Sequence, residues 1–285
     1  MPHDNSPHPA SINRDSKDYW NKRAATFTRY ATEDYERWLM DLLSPAMGET
    51  ILDMGCATGT LALPLARAGH HVHACDFAEA MLTILDQRAA AGNLPITSHL
   101  LAWDEDWSRA GLGENSVDCA FASRSLMSDH TLSRISKLDA TARVKAAVVV
   151  PNSLPPSSDP RLLTYLGRKA KRPSTIREVL RALRYLGRIP VTATTNTYRP
   201  MRFNSFDEAR ADLRRLARPE PFTAREQRLF DAYARDHFIE VPAVQPANGL
   251  SDDHSDSPQT QWVLNYPLPV VWTFIGWRTD GSEWE

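Results

Sequence analysis

The sequence predicts an α/β protein in which helices cover both faces of a mostly parallel sheet. Short apolar runs alternate with helical periodicities between residues 50 and 150, which is the pattern of strands joined by crossover helices. The first run ends in a glycine-rich turn, TILDMGCATGT at 50–60, and a helical stretch follows. A strand, a glycine-rich turn and a helix start a ligand-binding unit, because backbone and helix N–H groups can approach a ligand there.

The same alternation assigns the elements of the first half in order. Aromatic residues recur along 15–43, which predicts a long helix, and Gly92-Asn93 is a plausible stop for the helix over 79–91. The other boundaries follow changes between apolar runs and helical periodicity. The predicted elements are helix 15–43, strand 50–54, helix 59–68, strand 71–75, helix 79–91, strand 96–102, strand 117–122, helix 131–143 and strand 146–150.

The second half begins with a break and returns to strands at its end. The Pro/Ser-rich stretch 151–160 predicts a linker or hinge, and 161–186 reads as a basic helical stretch with a possible break near Arg172-Pro173. The polar stretch 248–259 reads as a loop. The remaining predicted elements are strand 190–197, helices 205–217 and 223–237, and strand 270–277.

The glycine pattern separates two classes of ligand. A dinucleotide fingerprint, G-x-G-x-x-G, would need glycine where Ala57 and Thr60 stand, and no phosphate-binding G-x-x-x-x-G-K-[ST] loop occurs. Twenty-one residues after Gly55, the run HVHACD ends in Asp76. A carboxylate at the end of the second strand suits a ribose diol, since it can accept a hydrogen bond from both hydroxyls.

The pattern Asp53-x-Gly55-x-x-x-Gly59, with the LALPLA that follows it, resembles motif I of the class I S-adenosylmethionine-dependent methyltransferases, small-molecule type. That family usually has glycine where Ala57 stands. The resemblance covers roughly 18–150 and the last strand. It implies a Rossmann-like, mostly parallel seven-stranded sheet with helices on both faces, an N-terminal helical cover and an inserted helical cap, and it places strands 190–197 and 270–277 as an antiparallel pair. The predicted domains are a flexible tail 1–14, the cover 15–47, the cofactor-binding domain 48–198, the cap with its polar loop 199–260, and the last strand 261–285.

The resemblance implies S-adenosylmethionine as the cofactor and assigns roles residue by residue. Asp76 would bind the ribose, Asp104 the adenine amine, and the backbone N–H of Glu105 the adenine ring. Other interpretations stay open: Asp76 and Asp104 could each cap a helix, and Arg124 could form a surface salt bridge. The predicted cofactor-binding residues are Asp53, Gly55, Cys56, Ala57, Gly59, Asp76, Phe77, Met81, Asp104, Glu105, Ser123 and Arg124.

The reaction implied is displacement at a sulfonium methyl group, which needs a general base only if the acceptor must lose a proton. The sequence does not assign such a base, and the candidates are His130, Asp129, Tyr19 and Tyr30. The run His70-His71-Val72-His73 lacks nearby acidic or cysteine ligands, so we expect no metal.

The stretch 161–188 carries nine basic residues against one acid, Glu178. It could be a solvated helix face or a landing site for an anionic acceptor. The predicted function is methyl transfer to a small, anionic acceptor. Two alternatives stay open: a non-catalytic sensor or scaffold that binds the cofactor, and an RNA or protein methyltransferase that docks through 161–188.

Charge and cysteine content limit partners and location. The net charge of −2 gives no general attraction to nucleic acid or membrane, and no apolar run approaches 18 residues. The N-terminus lacks the features of a secretory signal. Three sparse cysteines in apolar runs suggest reduced thiols. We therefore expect a cytoplasmic monomer or homodimer without nucleic-acid or membrane partners.

Overall fold

A computed structural model describes residues 16–25, 27, 33–126, 130–152, 158–169, 174–199, 201–217, 221–243 and 260–284. The chain divides into two compact units. The first unit comprises 1–150, 177–193 and 274–285, and the second comprises 151–176 and 194–273. The domain boundaries drawn from the sequence remain a prediction.

Strands and helices alternate along the first unit, as the sequence predicts. The strands are Thr50–Met54 (β1), His71–Asp76 (β2), Ile96–Leu100 (β3), Val117–Ser123 (β4), Ala142–Pro151 (β5), Val191–Arg199 (β6), Arg202–Phe203 (β7), Phe238–Pro242 (β8), Thr260–Leu264 (β9) and Leu268–Arg278 (β10). The helices are Lys17–Ala24 (α1), Glu33–Leu43 (α2), Ala62–Arg67 (α3), Glu79–Ala91 (α4), Thr131–Thr141 (α5), Pro160–Tyr165 (α6), Thr175–Tyr185 (α7), Phe206–Arg215 (α8) and Ala224–His237 (α9), with a short 3-10 helix at Trp107–Ala110.

The main sheet has seven strands in the order β3-β2-β1-β4-β5-β10-β6. The pairs β1/β2, β1/β4, β2/β3 and β4/β5 are parallel. The last strand β10 is antiparallel to β5, because the Thr279 N–H donates to Val144 O while the Asn152 N–H donates to Val271 O. The predicted mostly parallel, seven-stranded Rossmann-like sheet is confirmed.

The central strands form because they are apolar on both sides. Ile51 and Leu52 of β1 and Cys119, Ala120 and Phe121 of β4 are all buried. Continuous burial of this kind is typical of parallel strands that helices cover on both faces. The order β1-β4 places the strand-order reversal at their carboxyl ends, where ligands bind in such sheets.

The N-terminal region differs from the predicted single helix over 15–43. It contains α1, which starts where Ser16 Oγ accepts a hydrogen bond from the Tyr19 N–H at 3.2 Å, and α2. Residues 28–32 between them lie outside the described residues. The basic stretch 161–186 likewise contains two separate helices, α6 and α7. The predicted break at Arg172-Pro173 and the predicted loop 248–259 also lie outside the described residues.

The second unit contains a sheet that the sequence analysis missed. Its three strands have the order β7-β9-β8 and pair antiparallel. Strand β8 follows α9 directly, and β7 has two residues, so neither gives the alternating pattern that marks a longer strand. The core of this unit includes Phe230, Tyr233 and Phe238.

Asp139 of α5 joins three segments of the first unit. Its carboxylate accepts hydrogen bonds from Arg188 Nε and Nη2, both at 2.8 Å, and from the Trp277 indole N–H at 2.9 Å. Asp139 is 9% exposed and Trp277 is fully buried. The contact therefore ties α5 to the segment after α7 and to β10.

We predict that Asp139→Ala lowers the free energy of unfolding by about 3 kcal/mol, because it leaves the Arg188 charge and the Trp277 N–H without this partner. Urea unfolding followed by circular dichroism measures the change. Asp280→Ala is the control, since it removes an exposed ion pair with Arg278 and should have little effect. Equal losses in both variants would contradict the assignment.

Candidate cofactor site

The turn after β1 adopts the backbone that its glycines predict. Gly55 and Gly59 have φ of +83° and +87°. A Cβ at Gly55 would lie 2.2 Å from Ser125 Cβ, and one at Gly59 would lie 2.4 Å from Leu85 Cδ1. Both positions therefore need glycine for conformation and for space. The close neighbour at Gly55 is fixed, because Ser125 Oγ donates a hydrogen bond to Met54 O at 2.5 Å.

Ala57 also lies in the left-handed region, with φ of +48°. An L-residue there costs roughly 1–2 kcal/mol relative to the right-handed region, which explains why glycine is usual at this position of the motif. The Ala57 N–H donates to Asp76 Oδ2 at 2.9 Å. The methyl group of Ala57 belongs to a cluster with Trp20 and Phe27 of the N-terminal region, so these aromatic residues pack on the turn.

Asp76 ends β2 and is 6% exposed. Its Oδ2 accepts from the Ala57 N–H, and its Oδ1 accepts from the Ala78 N–H at 2.9 Å. Burial raises the pKa of this carboxyl group, while the backbone hydrogen bonds oppose the rise. The contacts are those of the structural alternative, a carboxylate that joins the β1 turn to the start of α4. Ribose binding by the same oxygens remains a prediction, since each oxygen has a second lone pair.

Asp53 lies at the end of the neighbouring strand β1 and is 2% exposed. Burial and the negative charge of Asp76 raise the pKa of Asp53 to about 8, and the Arg124 guanidinium lowers it. Asp53 is therefore mostly protonated at neutral pH. The two strand ends place a pair of buried carboxyl groups beside the glycine turn.

The loop after β3 contains Asp104 and Glu105. The Glu105 N–H, which we expected to face the adenine ring, donates instead to Ala102 O at 3.3 Å within the turn, so this expectation is wrong for the structure as described. The Asp104 side chain is 78% exposed and lies 3.7 Å from Arg134 Nη2. Lys137 Nζ donates to the carbonyl of Glu105 at 2.8 Å and to that of Trp103 at 2.7 Å. The loop is thus held by two cations of α5.

The end of β4 brings together residues of two elements. Ser123 Oγ lies 2.6 Å from Tyr35 Oη, a residue of α2 that is 1% exposed, and burial raises the pKa of this phenol. The Arg124 guanidinium lies over the Tyr35 ring, 4.7 Å from its centroid. Sequence reasoning missed Tyr35, Arg134 and Lys137. The spacing of Tyr35, Leu39 and Leu43 indicates a buried helix face, but nothing in it identifies Ser123 as the partner.

The other predicted site residues are spread around this edge. Cys56 and Met81 are buried, and burial raises the pKa of the Cys56 thiol well above its usual range. Phe77 is half-buried, and His130 is exposed at the start of α5 with φ of +59°. Tyr19 is half-buried on α1. The candidates Asp129 and Tyr30 lie outside the described residues. In the described part of the chain, no group of three His, Cys, Asp or Glu side chains is arranged to hold a metal ion.

Comparison with known proteins identifies the first unit. Residues 51–145 match the family model described as "Methyltransferase domain". An uncharacterised protein of Haemophilus influenzae is 30% identical over 128 residues, which is 44% of this chain and 46% of that protein. The chain thus matches about half the length of this curated relative. Residues 51–145 form a methyltransferase domain of class I, the class that uses S-adenosylmethionine.

Solved structures show more distant similarity. Geranyl diphosphate C-methyltransferase from Streptomyces coelicolor A3(2) is 14% identical with a TM-score of 0.49, over 94% of this chain and 86% of that chain. Magnesium protoporphyrin IX methyltransferase from Synechocystis PCC 6803 is 18% identical with a TM-score of 0.46, over 65% of this chain and 89% of that chain. Among the described residues, the helices are too short or too polar to cross a membrane.

The protonated state of Asp53 makes stability depend on pH. Between about pH 4 and pH 8 the folded protein keeps a proton that the unfolded chain releases, so the free energy of unfolding falls as pH rises. We predict that Asp53→Asn removes this slope and is more stable than the wild type at pH 8 by at least about 1 kcal/mol.

Urea unfolding at pH 5, 6, 7 and 8 measures the slope for both proteins. Asp106→Asn is the control, because the hydrogen bonds from Ser108 lower the pKa of Asp106 and place its titration below this window. Parallel curves for the wild type and Asp53→Asn would show that Asp53 is already ionised in the folded state.

Proposed function

We propose that the chain transfers a methyl group from S-adenosylmethionine to a small-molecule acceptor. The methyltransferase domain match at 51–145 carries this proposal. Its geometry supports it: the glycine turn follows β1, Asp76 ends β2 and Asp104 follows β3, on three adjacent strands. Adenine, ribose and methionine would then extend along the carboxyl edge of the sheet from β3 toward β4.

The residues at this edge fit the chemistry of the cofactor. The buried carboxyl pair, Asp53 and Asp76, suits a ligand that carries a sulfonium and an ammonium charge. Thr58 Oγ1 is buried in the glycine turn without a hydrogen-bond partner among the described residues, which supports a polar ligand there. Trp20 and Phe27 pack on Ala57 and could shield a bound ligand from water.

The sulfonium group supplies a strongly electrophilic methyl when the cofactor is bound. The chain then needs to align the acceptor and exclude water. Tyr35 does not suit the role of general base, because burial raises the pKa of its phenol, and its hydroxyl pairs with Ser123. His130 and Tyr19 remain candidates on the described residues, with Asp129 and Tyr30 outside them.

The acceptor in this proposal is anionic, but the basic stretch 161–188 supports it less than the sequence suggested. Arg168 pairs with Glu226 at 2.7 Å and donates to Ala217 O at 2.6 Å, so its charge serves the second unit. Arg161 stacks on the ring of Tyr266. Exposed arginines of α7 lie opposite its buried face, as expected for a solvated helix. These are Arg177, Arg181 and Arg184.

We also propose that the protein works in the cytoplasm as a monomer or homodimer. The three cysteines, Cys56, Cys75 and Cys119, are free thiols and are buried, which supports a reducing compartment.

We predict that the protein binds S-adenosylmethionine and S-adenosylhomocysteine with micromolar Kd, about −8 kcal/mol, because charged and polar contacts surround the glycine turn. Isothermal titration calorimetry measures both affinities, with NAD and ATP as controls. Binding of NAD without binding of either sulfur ligand would reject the cofactor. A small-molecule panel would then separate turnover from binding alone, which is the behaviour of a non-catalytic sensor.

We predict that Asp76→Ala weakens S-adenosylhomocysteine binding by about 1.5–3 kcal/mol through lost ribose contacts. The same change should lower the free energy of unfolding, because the N–H groups of Ala57 and Ala78 lose their acceptor. Calorimetry and urea unfolding measure the two effects. Asp106→Ala, at an exposed helix cap, is the control. Reduced stability with unchanged affinity would make Asp76 a structural cap alone.

A further inference from the structure

Arg124 is an arginine in a conformation that favours glycine or asparagine. It is the first residue after β4, and its φ is +62°. The left-handed region costs a residue with a Cβ roughly 1–2 kcal/mol, and such strain is concentrated at functional sites. Glycine would remove the strain at no steric cost. A cation at this position therefore suggests that the side chain is used.

Several contacts hold the arginine in place. Its N–H donates to Val149 O of β5 at 2.9 Å, which fixes the backbone. Its guanidinium lies on the ring of Tyr35, and Tyr35 is itself fixed by burial and by the 2.6 Å contact with Ser123. A guanidinium stacked on a rigid aromatic ring keeps its N–H groups directed in the ring plane, so little entropy is lost when it binds an anion.

The strand order places Arg124 beyond the proposed cofactor residues. These residues lie after β3, after β2 and after β1, and β4 comes next in the sheet. If the adenine lies at β3 and the ribose at β2, the transferable methyl group lies near the ends of β1 and β4. Arg124 is then at the end of the site where the acceptor must enter.

The charges point to the same division. Asp53 and Asp76 place negative charge or its protonated form on the cofactor side, where the ligand is cationic. A guanidinium next to a sulfonium would be repulsive unless an anion lies with it. We propose that Arg124 binds an oxyanion of the acceptor, a carboxylate or a phosphate, and so selects small anionic acceptors; this rests on the proposed function. Arg124 is thus reassigned from the cofactor to the acceptor.

The test uses protein saturated with S-adenosylhomocysteine at low ionic strength. Inorganic phosphate and acetate are titrated separately, and binding is followed by calorimetry and by the arginine Nε–H resonances in NMR. We expect at least one anion to bind with a millimolar Kd, and the stronger of the two identifies the class of oxyanion. Arg124→Gly should weaken that binding at least tenfold and leave S-adenosylhomocysteine affinity within twofold.

Matched variants separate charge from folding. Arg124→Gly should melt no lower than the wild type, because glycine accepts the left-handed backbone, and Arg124→Lys should retain part of the anion affinity. Arg181→Gln, which removes an exposed arginine of α7, should change neither ligand.

Three results would overturn the inference. The wild-type complex could bind neither anion, or Arg124→Gly could bind the anion as the wild type does. The variant could instead lose S-adenosylhomocysteine affinity tenfold while 5′-methylthioadenosine, which lacks the carboxylate, binds normally, so that Arg124 serves the cofactor. Failure of the wild type to bind S-adenosylhomocysteine would reject the proposed function itself, and this inference with it.

Discussion

The candidate site depends on how the turn after β1 is fastened to the end of β2. The N–H groups of Gly55 and Cys56 both donate to Cys75 O, at 2.7 Å and 3.0 Å, and the next N–H, of Ala57, donates to the Asp76 carboxylate. Three consecutive donors are thus satisfied by two residues of the neighbouring strand. This arrangement forces the left-handed backbone at Gly55 and Ala57, and it brings the two carboxyl groups together in a buried place.

That fastening also explains why strain and charge are concentrated here. The edge holds two buried carboxyl groups, a left-handed alanine and a left-handed arginine, and each is unfavourable taken alone. The backbone N–H donors offset the burial of Asp76, and the nearby guanidinium of Arg124 favours the ionised form of Asp53. A cationic ligand would favour ionisation of both carboxyl groups further, so ligand binding and proton release would be coupled at this edge.

Cations of the first unit serve mainly to hold loops and segments. Lys137 and Arg134 of α5 hold the loop after β3, and Arg188 holds Asp139. The N-terminal region is attached differently, by the packing of Trp20 and Phe27 and by the hydrogen bond from the Ala80 N–H to Asn21 Oδ1 at 3.0 Å. The floor of the candidate site is therefore built by charged and backbone contacts, and its cover by aromatic packing.

The sequence alone determined the sheet and the position of the site, because both depend on local patterns. Apolar runs predict buried strands, and Gly55 and Gly59 mark a turn that only glycine can form. The helix predicted over 79–91 matches α4 residue for residue. Asp76 was also placed correctly at a strand end, which follows from counting along the chain.

Only the tertiary structure decided which atoms these residues use. Asp76 accepts from Ala57 and Ala78, the Glu105 N–H closes its own turn, and Tyr35 meets Ser123, 88 residues away in sequence. The arginines of 161–188 look alike in the sequence, yet Arg168 and Arg188 form ion pairs while Arg181 faces solvent. Hydrogen-bond partners and burial depend on contacts between distant segments, and no local periodicity records them.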